Sequence, residues 1–307
     1  MGPMLSFLLF GALVLAQEPF PHKPHPSASY VPERVFDTRR NAFADFETML
    51  ADLARADVIV VGEQHDDPNT HRLEAAMLQG LQRRRIALTV SVEMFERDVQ
   101  ASLDDYLAGR ATEEQFLKIS RPWPRYASDY REIVELARAH GWPVVAANVP
   151  RRLASEVAKG GEAGLAKVKA ESPQLTAREL QCPLDAYFDR FYSEMSRHPA
   201  PGAEKATDAE KRATGQRYYL SQCLKDETMA ESIAAAFERQ AGRPGAIVHY
   251  NGAFHSDFGM GVAERVRRRL PGRRVAVVTM VPVADLDTVA PAGDDLKRAE
   301  YLVYTVK

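Results

Sequence analysis

The chain of 307 residues has two cysteines, two tryptophans and no surplus of either charge, with 40 Lys and Arg against 42 Asp and Glu. Without a basic excess there is no electrostatic footprint for a nucleic-acid backbone, so nucleic acid is not expected as a partner. Familiar catalytic signatures are missing too. There is no His-Glu-x-x-His helix, no Gly-x-Ser-x-Gly elbow, no phosphate-cradling Gly-x-x-x-x-Gly-Lys loop and no Cys-x-x-Cys pair. Gly259-Met260-Gly261 lacks the third glycine of a dinucleotide loop and reads as a helix start. No apolar run reaches the roughly 20 residues that a membrane-spanning helix needs.

The longest uncharged apolar run, residues 5–16, is followed abruptly by Gln17, Glu18 and a stretch rich in Pro and His. This is the pattern of a signal peptide (1–16) with small residues Val14 and Ala16 before the cleavage point, although no Lys or Arg precedes the run. A mobile tail (17–30) then leads into one domain (31–307), long enough to bury a substantial core. Export to the periplasm or beyond is therefore expected, and with no Cys at the cleavage site a lipid anchor is not available. In such a compartment Cys182 and Cys223 are expected to form a disulfide, two buried free thiols being the alternative.

Along the chain, Val58, Ile59, Val60 and Val61 are consecutive β-branched residues, suited to a strand covered on both faces. Asp67 can cap a helix whose first residue is Pro68, and Leu73, Met77 and Leu81 then recur at helical spacing. A second apolar strand at 86–92 completes a βαβ unit, which implies a parallel pair. The pattern repeats with a helix at 129–140 and a strand at 142–147. Periodicity weakens between 150 and 216, and 198–205 is rich in Pro, Ala and Gly, so this segment reads as a helical insertion or cap with a mobile loop. A helix at 217–240, a strand at 246–250, a basic helix at 259–270, a strand at 274–281 and an edge strand at 301–306 follow. The expected class is α/β, with a central, mostly parallel sheet flanked by helices.

Ligands of open α/β sheets bind at the carboxyl ends of the strands. Those ends here carry Glu63 and His65, then Glu93, then Asn148, then Asn251 and His255. Asp66 and Asp67 read as helix-start residues and His71 as a surface residue. Three strand ends delivering Glu and His together point to one convergent site. In a hydrolytic version, Glu63, His65 and His255 hold a divalent metal while Glu93 and His255 carry the catalysis, Glu93 as general base, with Asn148 and Asn251 binding the cofactor or ligand. Glu93→Gln is then expected to impair function at little cost in stability. In a purely structural version the same residues cap helices and brace the sheet.

Gly62-Glu63-x-His65-Asp66, Glu93-Met94-Phe95, Trp123 with Tyr126 and Tyr130, Ala147-Asn148-x-Pro150-Arg151, and Asn251-Gly252-x-x-His255-x-Asp257-x-Gly259 occur in this order over residues 58–281. Together they resemble the ChaN haem-binding proteins, part of a superfamily with Tiki-type metal-dependent proteases and erythromycin-esterase-like hydrolases. The resemblance implies an envelope protein of haem or iron acquisition with uptake partners there, and relatives whose chemistry sits at positions matching Gly62 with His65, Glu93 and His255. Ferric haem accepts His nitrogen or Tyr oxygen, which makes Tyr126, Tyr130, Tyr250 and His255 candidate ligands. A flat haem face often needs a second protein surface, so a homodimer is a reasonable expectation.

Overall fold

The computed structural model describes residues 30–85, 87–197, 206–240 and 245–307. The expected signal segment, the tail but for Tyr30, and the loop at 198–205 lie outside the described residues. The described elements run β1 (Glu33–Asp37), β2 (Ala42–Ala44), α1 (Phe46–Leu53), β3 (Val58–Glu63), α2 (Pro68–Gln82), β4 (Ala87–Glu96), α3 (Gln100–Leu107), α4 (Glu113–Ser120), α5 (Arg131–His140), β5 (Val144–Asn148), α6 (Arg151–Glu171), α7 (Ala186–Arg197), α8 (Asp208–Arg239), β6 (Gly245–Gly252), α9 (Gly261–Arg269), β7 (Val275–Val283) and β8 (Tyr301–Val306).

The strands form one eight-stranded sheet in the order β2-β1-β8-β7-β3-β6-β4-β5. From β8 through β5 all pairings are parallel, and β1 pairs antiparallel with β2 and β8. The β-branched run at 58–61 lies at the centre, between β7 and β6, with every residue of β3 buried. That is the position such a sequence suits, because a central parallel strand has no solvated face.

Side-chain alternation then sorts the core into two layers. Ile59, Val61, Val90, Val92, Val248 and Tyr250 face α1 to α5. Val58, Val60 and Ile247 face the opposite way, against Met229, Ile233 and Val262 of α8 and α9. The helical segment after β5 packs on α8, with Leu153 and Val157 of α6 against Leu220 and Leu224.

Two expectations change. β8 is not an edge strand, because the β1–β2 hairpin covers its open side. That hairpin is short and charged, and Asn41 turns its corner with φ 51°, so it carries little apolar signal. The last long helix begins at Asp208 rather than near 217. Its start is set by a capping box in which the Thr207 hydroxyl accepts from Glu210 N–H and the Glu210 carboxylate accepts from Thr207 N–H. Cys182, in the coil before α7, is bonded to Cys223 in the middle of α8, with Cα atoms 5.8 Å apart.

Candidate functional site

Asp67 caps α2, accepting hydrogen bonds from Asn69 N–H at 3.0 Å and Thr70 N–H at 3.2 Å. This fixes the turn that carries Glu63 and His65 off the end of β3. Glu63 continues the Ile59 and Val61 parity and therefore lies on the α2 side of the sheet. It is buried, its Oε1 meeting His65 Nδ1 at 2.6 Å and accepting from the Tyr130 hydroxyl at 2.8 Å. His65 is the open end of this group: its side chain is 44% exposed, and its ring meets Trp123 edge to face with centroids 4.9 Å apart.

Glu93 falls on the other side. It lies inside β4 rather than after it, where the register with β5 shifts between Val92 and Glu96. It shares the parity of Thr89 and Ser91 and so faces α8. One oxygen accepts from Gly252 N–H at 2.8 Å and the other lies 3.3 Å from His255 Nε2. His255 Nδ1 bonds Asp226 of α8, whose second oxygen accepts from the Tyr187 hydroxyl at 2.8 Å. The Gln222 amide packs against the same ring, 3.0 Å from Nδ1.

The four principal sequence candidates thus gather at the expected end of the sheet, but as two pairs on opposite faces. The seam between them is Gly252. It is level with Glu63 in the β3–β6 register, donates to Glu93, and lies directly under the His65 ring. A Cβ at Gly252 would come within 2.6 Å of His65 Nε2 and 2.9 Å of Cε1. Gly252→Ala is therefore expected to push the imidazole off its seat at little cost in stability, because the atoms it meets are the far end of a half-exposed side chain. The His65 ring resonances should shift while those of His255 stay in place, and an unmoved His65 ring would show the seam to be slack.

Electrostatics follow the same division. Burial alone would make the charged form of His255 unfavourable, but the carboxylates of Glu93 and Asp226 outweigh it and push the pKa up to about 10. Burial likewise acts to raise Glu93, and the His255 charge overrides it and holds the carboxyl well below its usual range. Both ring nitrogens of His255 face carboxylates, the arrangement of an imidazolium, which has no lone pair to offer a metal. His65 is raised as well, burial being outweighed by Glu63, and it responds to the charges of Glu93 and His255 across the seam.

The remaining candidates are internal. Asn148 donates to the Glu93 carbonyl at 3.1 Å, and Asn251 donates to the Gly252 carbonyl at 2.8 Å, so both brace strand ends. Tyr250 is fully buried with its hydroxyl on the Glu74 carbonyl, and Tyr126 lies between Phe95 and Phe116. His71 is not a surface residue. It is buried against Glu74 and Tyr130, because its place on α2 turns it beneath the β3 turn.

Sequence reasoning missed Glu74, Tyr187, Gln222 and Asp226. Gln222 and Asp226, four residues apart on α8, face His255, and Tyr218, a further four residues back along the helix, is 47% exposed. That spacing was the available signal.

A family model described as haem-binding uptake, Tiki superfamily, ChaN matches residues 49–266. Among solved structures, ChaN of Campylobacter jejuni, described with cofacial haem binding, aligns with a TM-score of 0.65 at 16% identity, covering 90% of this chain and 97% of that one. At that identity the likeness speaks for the fold. A Bacillus cereus protein aligns with a TM-score of 0.46 at 10% identity, covering 84% of this chain and 90% of that one. A mutant erythromycin esterase in its open conformation has a TM-score of 0.44 at 13% identity, covering 90% and 83%. A search of curated proteins by sequence finds no match.

Proposed function

Because this chain belongs to the ChaN family of haem-binding proteins in the Tiki superfamily, we propose that it binds haem at the solvent side of the strand-end site and serves haem or iron acquisition outside the cytoplasm. The observation that carries the placement is His65, the one imidazole of the cluster that reaches solvent, backed by Glu63 and flanked by Trp123.

Ferric haem iron takes an imidazole nitrogen or a phenolate oxygen, and the donor must be able to reach it. Tyr126, Tyr130, Tyr250 and His255 are all buried, so iron arriving from solvent does not meet them without movement of the core. His65 and Tyr218 present the right donor atoms at the surface, and these two fit the group. Bound haem would supply an iron centre, and His65 or Tyr218 would offer it a nitrogen or oxygen donor. The chain's own part is to hold that donor and to shield one porphyrin face, with Trp123 offering apolar area beside His65. A second copy of the chain covering the other face is part of the same proposal.

Titration with ferric haem is expected to give a saturable Soret shift. His65→Ala or Tyr218→Phe should weaken binding about tenfold or more, equivalent to roughly 1.4 kcal/mol. Absence of a shift in the wild type would defeat the haem reading, and wild-type affinity in both variants would defeat its placement. The extracytoplasmic setting rests on the apolar run at 5–16 and is tested by fractionating cells that express the full chain.

The hydrolytic alternative placed a metal among Glu63, His65 and His255. The division of those residues between two faces, with His255 held between two carboxylates, gives that arrangement no support.

A further inference from the structure

Beneath His65, on the α2 side of the sheet, lies a second group of side chains that shares Glu63 with the proposed haem site and otherwise lies apart from it. Glu63 ends β3, and His71 and Glu74 lie one turn apart on α2. They are 1%, 4% and 0% exposed. Candidate ligand atoms of the three lie within 4.8 Å of one another.

His71 has oxygen acceptors at both ring nitrogens. Its Nε2 faces the His65 carbonyl at 3.3 Å and Asp129 Oδ2 at 3.5 Å, both acceptors. Its Nδ1 faces Glu74 Oε2 at 3.0 Å, and the tautomer with the proton on Nε2 is the one that would free Nδ1 to bind a metal. Tyr130 donates to Glu63 Oε1, which leaves Glu63 Oε2 without a partner, and Glu74 Oε1 has none either. Burial first, then the charge of Glu63 and the hydrogen-bonding approach of the two carboxyls, drive the Glu74 pKa well above its ordinary value. Two unpartnered carboxylate oxygens therefore lie beside the His71 ring in a buried space, an arrangement that is costly unless a proton or a metal cation sits among them.

We propose that Glu63, His71 and Glu74 form a buried site for a divalent first-row transition-metal ion, held through His71 Nδ1 and the two carboxylates. One imidazole with two carboxylates is a donor set suited to zinc, ferrous iron or manganese rather than to soft copper(I). The bond from His71 Nε2–H to a main-chain carbonyl is the outer-shell contact that fixes a metal-bound histidine, and Tyr130 plays the same part for Glu63. Ligands about 2.1 Å from an ion lie roughly 3.4 Å apart around it, so the site closes on its ion by a modest contraction. The proposal stands whether or not haem binds, since His71 and Glu74 lie below the haem-facing surface.

The full chain, stripped with chelator, is dialysed against zinc, manganese or anaerobic ferrous iron, and bound metal is counted by mass spectrometry, with the visible spectrum of added cobalt as a second readout. About one ion per chain is expected, together with a rise in melting temperature on metal addition to the wild type. Glu74→Gln, which keeps the shape of a neutral carboxyl, should lose at least about nine-tenths of the bound metal, and His255→Gln, on the other face, should keep it. Glu74→Gln should still give the wild-type Soret shift with haem, which separates this site from the haem site. Folded wild type that takes up no metal and gains no thermal stability would overturn the proposal, as would metal content unchanged in Glu74→Gln. Should that variant fail to fold, the wild-type metal count and melting shift decide alone, because two protons could neutralise the same three groups and would give neither signal.

Discussion

Glu93→Gln is expected to lower the free energy of unfolding by about 3 kcal/mol at neutral pH, because it removes a charged partner from a buried ion pair. The sequence alone suggested a mild change, since a strand-end loop tolerates substitution. In the structure Glu93 is 4% exposed, inside a strand, and holds both Gly252 N–H and His255. The cost sits at the lower end of such losses because Asp226 still faces the ring.

The pH dependence carries a defined sign. His255 is raised from 6.5 to about 10 in the folded protein, so its contribution is complete below pH 6.5 and is lost as pH rises through 10. Glu93 is depressed, so its contribution is present above its ordinary value of 4.5 and is lost in acid. Both act in full between those ordinary values. Urea denaturation at about pH 5.5, 7.5 and 9 should show wild-type stability declining along the series. Glu93→Gln should decline less steeply, because His255 then keeps only one of the charges that hold its proton. Parallel slopes for the two proteins would mean that His255 is not held cationic by Glu93.

Opening the Cys182–Cys223 bond is expected to cost about 4 kcal/mol on the chain-entropy account, for a loop closed over 41 residues. The bond joins the coil before α7 to the middle of α8, one residue from Gln222, so it also holds in place the helix that presents Gln222 and Asp226 to His255. Denatured, non-reduced protein should contain no titratable thiol, and reduction should lower the denaturation midpoint without altering the far-ultraviolet spectrum at low temperature. Two free thiols in protein isolated from an oxidising compartment, or an unchanged midpoint after reduction, would remove the bond from the account of stability.

Most of the sheet was legible in the chain because its signal is local. The run at 58–61, the Asp67-Pro68 start of α2 and the glycine at 141 each specify backbone geometry within a few residues. The β1–β2 hairpin was not legible, since β1 has charged ends and gains its burial beside β8, while β2 is three residues long and largely exposed. The start of α8 was missed for a related reason. Its first turns carry little apolar periodicity, and only the Thr207 and Glu210 pair announces them.

For the site, the residue types and their gathering at one end of the sheet were decided by the sequence alone: Glu63 finishes an apolar strand, His65 and His255 follow one, Glu93 falls in the last half of another, and such ends lie together in a parallel sheet. Which face each side chain takes was decided only by the tertiary structure. Alternation fixes faces relative to neighbours in the same strand, but the relation between strands depends on register, and a shift of one residue reverses it. The pairing of Glu63 with Gly252 and of Val92 with Tyr250 sends Glu63 toward α2 and Glu93 toward α8. That division gives Glu63 the partners His71 and Glu74, gives His255 the partners Glu93 and Asp226, and leaves His65 alone of the four reaching solvent.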